Sequence, residues 1–188
     1  NVLYNSGVYT GAIAGTIAGV HGVMTTDSAG NWTFTRDRPG PAVPCPPDIP
    51  FIPDETVSLR GRTAWIWSGR NNAHARQTVV ADIAAMVAHL GHGRYLVGSV
   101  LNGAGEGIGT GAYGAIAALN ADLAAAHGIR FVDLRGALVA AGDPVADAAD
   151  IAADRVPASL RSDGVHLNDA GQAIVASAMQ AAMLALGW

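Results

Sequence analysis

The chain has 188 residues, half of them hydrophobic, and a formal net charge of -4, a size for one domain with at most a small appendage and enough apolar side chains for a core. The negative balance and the lack of any basic run argue against a nucleic-acid partner, and no apolar run reaches membrane-spanning length. The only cysteine, Cys45 in Pro44-Cys45-Pro46-Pro47, can form no intrachain disulfide and supports no cysteine-rich metal site.

The first third is rich in Gly, Thr and Pro. Residues 12–20, 23–26 and 32–35 alternate as strands do, and Asp27-Ser28-Ala29-Gly30-Asn31 is a strong turn signal between two of them. A small antiparallel unit is expected, followed over 39–53 by a Pro-rich connector whose prolines rule out central strands. Residues 1–60 are thus a β-rich appendage and connector, and 61–188 an α/β core.

In the core, 63–67 is an apolar run consistent with a buried strand. Residues 76–90 place Val79, Val80, Ile83, Val87 and Leu90 on one helical face. A second strand is expected over 94–101, and a second helix over 112–127 with Ile116, Leu119 and Leu123 inward and Gly128 as its C-cap. Residues 129–134 read as a third strand, and 140–162 as an irregular Ala/Asp-rich stretch with room for a short helix. Asn168 or Asp169 caps a last helix carrying Ile174, Val175, Ala178, Met179, Ala182 and Leu186. Strands separated by such helices pair in parallel, and chemistry in such sheets gathers at the carboxyl ends of the strands.

The loops at that edge carry the polar side chains. Ser162-Asp163-Gly164-Val165-His166 sets an acid and an imidazole three positions apart on a turn that feeds a helix. The carboxylate can orient the ring while the ring moves a proton. Gly69-Arg70-Asn71-Asn72 offers carboxamide N–H groups, good neutral donors to an oxyanion; the plainer reading is a turn or helix cap. Glu106 in the glycine-rich loop after the second strand is either a substrate contact or simply exposed. His89 and His92 lack nearby carboxylates or cysteines to complete a metal site, so no metal is expected, and His21, His74 and His127 read as loop or cap residues. The glycine loop from 103 to 111 has no P-loop lysine, the chain's eleven cations all being arginine.

These residues resemble the SGNH/GDSL hydrolases. Asp163-Gly164-Val165-His166 is similar to the family's final block, and Gly69-Arg70-Asn71-Asn72 to its Gly-x-Asn-Asp block, with Asn72 in place of the final Asp. The resemblance covers residues 60–188 and implies a parallel-sheet, flavodoxin-like three-layer sandwich. It implies His166 as general base, Asp163 as its orienter and Asn71 as oxyanion donor, with Gly69 and Asn72 of the same block facing the substrate and no cofactor. The implied substrate is an acyl or acetyl ester, carried by a small molecule or a carbohydrate.

The family's Gly-Asp-Ser block and its oxyanion glycine are not clear in this chain. In one reading Asn5-Ser6 is a degraded first block, with Ser6 as nucleophile. In the other, which is preferred, residues 1–60 are a β-rich insertion of the kind some bacterial and phage-associated members carry, and the first strand lies upstream of Asn1. Ser68 and Ser99 are the internal candidates. A missing strand would expose a sheet edge, so a homo-oligomer or a separate N-terminal fragment is expected as partner. Localisation is open, with a secreted or phage-associated setting as the expectation. The alternative function is a noncatalytic binding or assembly module of a phage tail or cell surface.

Overall fold

The computed structural model describes residues 11–188, and the chain divides into two units between Arg62 and Thr63. The first contains four antiparallel strands, β1 (Gly11–Ile17), β2 (Val20–Thr26), β3 (Trp32–Arg36) and β4 (Phe51–Pro53), and a short helix, α1 (Asp54–Leu59). The sheet order is β3-β2-β1-β4. The expected single strand over 12–20 is two strands. Ile17 pairs with Val20, and Ala18 and Gly19 between them both have positive φ, 50° and 76°. That is the left-handed two-residue turn that matches strand twist. The period-2 alternation hides it, because Ala-Gly carries none of the usual Asn, Asp or Pro markers.

Gly15 and Gly22 face each other across β1 and β2. A Cβ on Gly15 would meet the Phe51 ring, and one on Gly22 the Phe34 ring. The two rings occupy the space that the glycines leave and meet edge to face at 6.2 Å. The Pro-rich connector ends in β4, which the sequence reading omitted; it is an edge strand, where a proline without an N–H is tolerated.

His21, expected in a loop, lies in β2 between two carboxylates. Its Nδ1 is 2.5 Å from Asp37 Oδ2, and its Nε2 is 2.8 Å from Asp54 Oδ2. A neutral imidazole has one N–H, so satisfying both carboxylates requires the imidazolium. The bond to Asp54, then that to Asp37, raises the His21 pKa above 6.5. The other charged groups around it, Arg36 and Arg38, line the same shallow depression. A raised folded-state pKa gives stability that is complete below the unfolded value and fades as pH rises through the folded one. The first unit is therefore expected to lose thermal stability as pH climbs above 6.5 and through the raised folded-state pKa of His21. NMR titration of the His21 ring should give a midpoint above 6.5 that drops in Asp54→Asn; a midpoint at or below 6.5 would contradict the imidazolium clamp.

The second unit holds a parallel sheet of β5 (Ala64–Ile66), β6 (Tyr95–Gly98) and β7 (Phe131–Val132), in that order. Its helices are α2 (Arg76–Leu90), α3 (Gly111–His127), α4 (Leu134–Ala140), α5 (Ala148–Ala152) and α6 (Asp169–Ala185). Successive residues of β6 point to opposite faces. Val97 joins Val79 and Ile83 of α2 and Leu119 and Leu123 of α3 in one core. Leu96 joins Leu138 of α4 and Val175 and Met179 of α6 in the other. The protein is thus mixed α/β, with a parallel three-stranded sheet covered by helices on both faces and a separate antiparallel four-stranded sheet. Among the described residues no helix is long and apolar enough to cross a membrane.

The third core strand is shorter than the expected 129–134. Gly128–Arg130 forms a 3-10 turn, and the Asp133 carboxylate accepts from Gly136 N at 3.0 Å, starting α4 at Leu134. The apolar pattern suggested a strand through 134, but an aspartate in the N-cap position outweighs it locally.

Candidate active site

The acid and the imidazole are held by a turn that the chain builds from its own backbone. Arg161 and Leu167 form an antiparallel bridge, and Ser162 N donates to the His166 carbonyl at 2.9 Å. Inside this loop Asp163 Oδ1 accepts from Val165 N and from His166 N, both at 2.7 Å. Its Oδ2 is 2.7 Å from His166 Nδ1. One carboxylate therefore closes the turn with one oxygen and aims the ring with the other. The backbone N–H of His166, then that of Val165, then the His166 ring hold the Asp163 carboxyl far below the usual carboxylate range. With Nδ1–H donated to the carboxylate, Nε2 is the nitrogen left to take a proton.

The turn is anchored on both sides. Asn168 caps α6 by accepting from Gly171 N at 3.0 Å, and its amide donates to the Ser159 carbonyl at 2.8 Å. Ala104 N donates to the Gly164 carbonyl at 2.9 Å. Gly103 beside it has no room for a side chain, since a Cβ would lie 2.6 Å from that carbonyl oxygen.

The carboxamide loop follows β5. Gly69 has φ of 103°, and a Cβ there would press on Val79 of α2, so only glycine fits. Arg70–Asn72 is a 3-10 turn in which Asn71 and Asn72 are exposed. Arg70 Nη2 donates to Glu106 Oε2 at 2.8 Å, and Gly103 N donates to the same oxygen at 2.6 Å. Glu106 thus fastens the loop after β6 to the loop after β5. The Arg70–Glu106 link was not anticipated; the partners are 36 positions apart, beyond any local spacing rule.

Arg70 and His166 line one cavity of about 610 Å³, together with Ser68. Trp65, Trp67, Val175 and Ala176 form much of its apolar wall. Gly69 and Asn72 line a separate, much smaller pocket of about 40 Å³ against α2. Ser99 is completely buried, and its hydroxyl accepts from Arg135 N at 2.9 Å. Ser6 lies outside the described residues. Among the described residues no hydroxyl or thiol hydrogen-bonds to His166 Nε2, and no group of His, Cys, Asp and Glu side chains is placed to hold a metal ion.

The two tryptophans were missed as site residues. Residues 63–67 read as a buried strand, but only Ile66 is turned fully into the core; Trp65 and Trp67 remain 48% and 45% exposed. The signal was the Trp-Ile-Trp alternation on an edge strand. Comparison with protein-family models, with curated proteins and with solved structures found no match to this chain.

Proposed function

We propose that the second unit is an ester hydrolase of the SGNH kind, its helix-covered sheet a flavodoxin-like three-layer sandwich. The reading is carried by one observation: a carboxylate 2.7 Å from His166 Nδ1, on a self-closed turn beside a cavity that also contains a serine. A serine oxygen attacks the ester carbonyl while its proton passes to His166 Nε2. Asp163 balances the imidazolium, and Asn71 donates to the oxyanion. Collapse of the tetrahedral intermediate breaks the bond to the alcohol oxygen, which leaves with the proton from His166. Water then repeats the sequence on the acyl-enzyme, releasing the acid and restoring the serine. The steps need no metal and no organic cofactor.

Within the second unit the nucleophile is Ser68, already at the cavity wall. A fluorophosphonate probe followed by peptide mapping is expected to mark Ser68, with labelling lost in His166→Ala; a label on Ser6 instead would select the degraded first block. A second reading, a noncatalytic binding or assembly module, is favoured by the lack of any described hydroxyl bonded to His166. Labelling at neither serine would select it.

A further inference from the structure

The geometry points to a medium-length apolar acyl chain, hexanoyl to decanoyl, as the group that lies along the apolar wall of the cavity beside His166; that the chain is an acyl group rests on the hydrolase reading, whereas the apolar subsite does not. Trp65 and Trp67 are two positions apart on β5 and its continuation, so their rings share a face and extend over roughly 7 Å. Opposite them Gln172, Val175 and Ala176 are spaced to share one face of α6. Trp65 Nε1 is 3.2 Å from Met183 Sδ, a residue much later in α6, while Gln172 in the first turns of that helix shares the cavity with His166. The groove therefore runs back from the loop edge, where His166, Ser68 and Arg70 lie, along the strand and the helix. The α6 residues that line the cavity, Gln172 to Ala176, span about 6 Å of the helix, and the Trp65 ring carries the apolar wall further toward Met183.

The chemistry of the wall selects an apolar occupant. Both indole N–H groups are already used, that of Trp65 on Met183 and that of Trp67 on the Ser99 carbonyl at 2.9 Å. The rings therefore present carbon and no donor, which suits a hydrocarbon chain better than a sugar with hydroxyls to satisfy. A volume of about 610 Å³ is in the range of small-molecule sites, and an acetyl group would leave most of it filled with water.

The test is p-nitrophenyl ester hydrolysis from acetate to decanoate by the full chain, with NMR of the indole N–H resonances during addition of sodium octanoate or acetate. Specificity (kcat/KM) should rise about two- to fourfold per methylene up to octanoate, as burial of successive methylenes in a half-open groove requires. Ala176→Trp, at an exposed helix position that can take bulk without disturbing the fold, should lower the octanoate-to-acetate ratio at least about tenfold. Trp65→Ala should lower the same ratio. Octanoate should shift the indole signals of Trp65 and Trp67 and leave that of Trp32 in place, while acetate shifts none. If no ester is hydrolysed but octanoate still shifts those two signals, the hydrolase reading falls and the subsite stands. A flat or falling ester series, a ratio unmoved by Ala176→Trp, or the absence of octanoate shifts at Trp65 and Trp67 would each overturn the proposal.

Discussion

Replacing His166 by alanine is expected to lower kcat/KM for p-nitrophenyl acetate by about 10³- to 10⁴-fold, the usual worth of a positioned general base acting with a nucleophile. Asp163→Asn is the sharper experiment. An asparagine keeps an oxygen for Val165 N and His166 N, so the turn survives. Its amide nitrogen then faces His166 Nδ1 where Oδ2 now sits. A donor at that place favours the tautomer with the proton on Nε2, and the ring can no longer accept one from a serine. The expected result is a loss of about 10²- to 10⁴-fold in kcat with an unchanged circular dichroism spectrum. Asn71→Ala should cost about 10²-fold in kcat at constant KM, the signature of a donor used only in the transition state. Hydrolysis within threefold of the parent in both His166→Ala and Asp163→Asn would remove the base from the proposal.

Much of this site was legible because its parts are local. The acid-to-imidazole spacing, the Asn168 cap and the positive-φ glycine before Arg70 each act within a few residues, and a short window captures them. The helices over 76–90 and 112–127 were legible for a related reason: Val79 and Ile83, and Ile116, Leu119 and Leu123, recur with the helical period and all are buried. The Ala18-Gly19 reversal was not legible, since two small residues interrupt neither the alternation nor the hydropathy. Nor was the start of α4, where Asp133 caps a helix inside what hydropathy alone reads as a strand.

The cavity was hidden for a different reason. An apolar run on a parallel strand, such as 63–67, normally means burial on both faces. Within the parallel sheet β5 is an edge strand, so its outward tryptophans meet a groove instead of a second core. Arg70, the variable position of the carboxamide block, carried no signal in sequence. Its role as a tie to Glu106 emerges only when the loops after β5 and β6 meet.

The segment before the Asp163–His166 turn depends on a buried charge, and its loss is the largest expected effect on stability. Asp150 is 6% exposed and accepts from Arg155 Nε at 2.5 Å, Arg161 Nη2 at 3.3 Å and Ala158 N at 2.7 Å. Burial pushes the Asp150 carboxyl up, but the bonds from Arg155, Ala158 and Arg161 outweigh it and leave the pKa below 3.8. Arg161 is nearly as buried as its partner, so Asp150→Ala strands a cation in the interior. The expected cost is about 3–5 kcal/mol, read from urea midpoints near neutral pH. Because the folded pKa is depressed, the stabilisation is present above the ordinary value and is lost as pH falls through the lower one. The gap between parent and variant should therefore narrow in acid, and Asp150→Asn should lose the same pH dependence while retaining part of the hydrogen bonding. Activity should fall as well, since Arg161 Nη1 donates to the Asp163 carbonyl at 3.2 Å and holds the turn that orients His166. A stability loss under about 1 kcal/mol in Asp150→Ala would show that the arginines find other partners, and that the turn does not depend on this carboxylate.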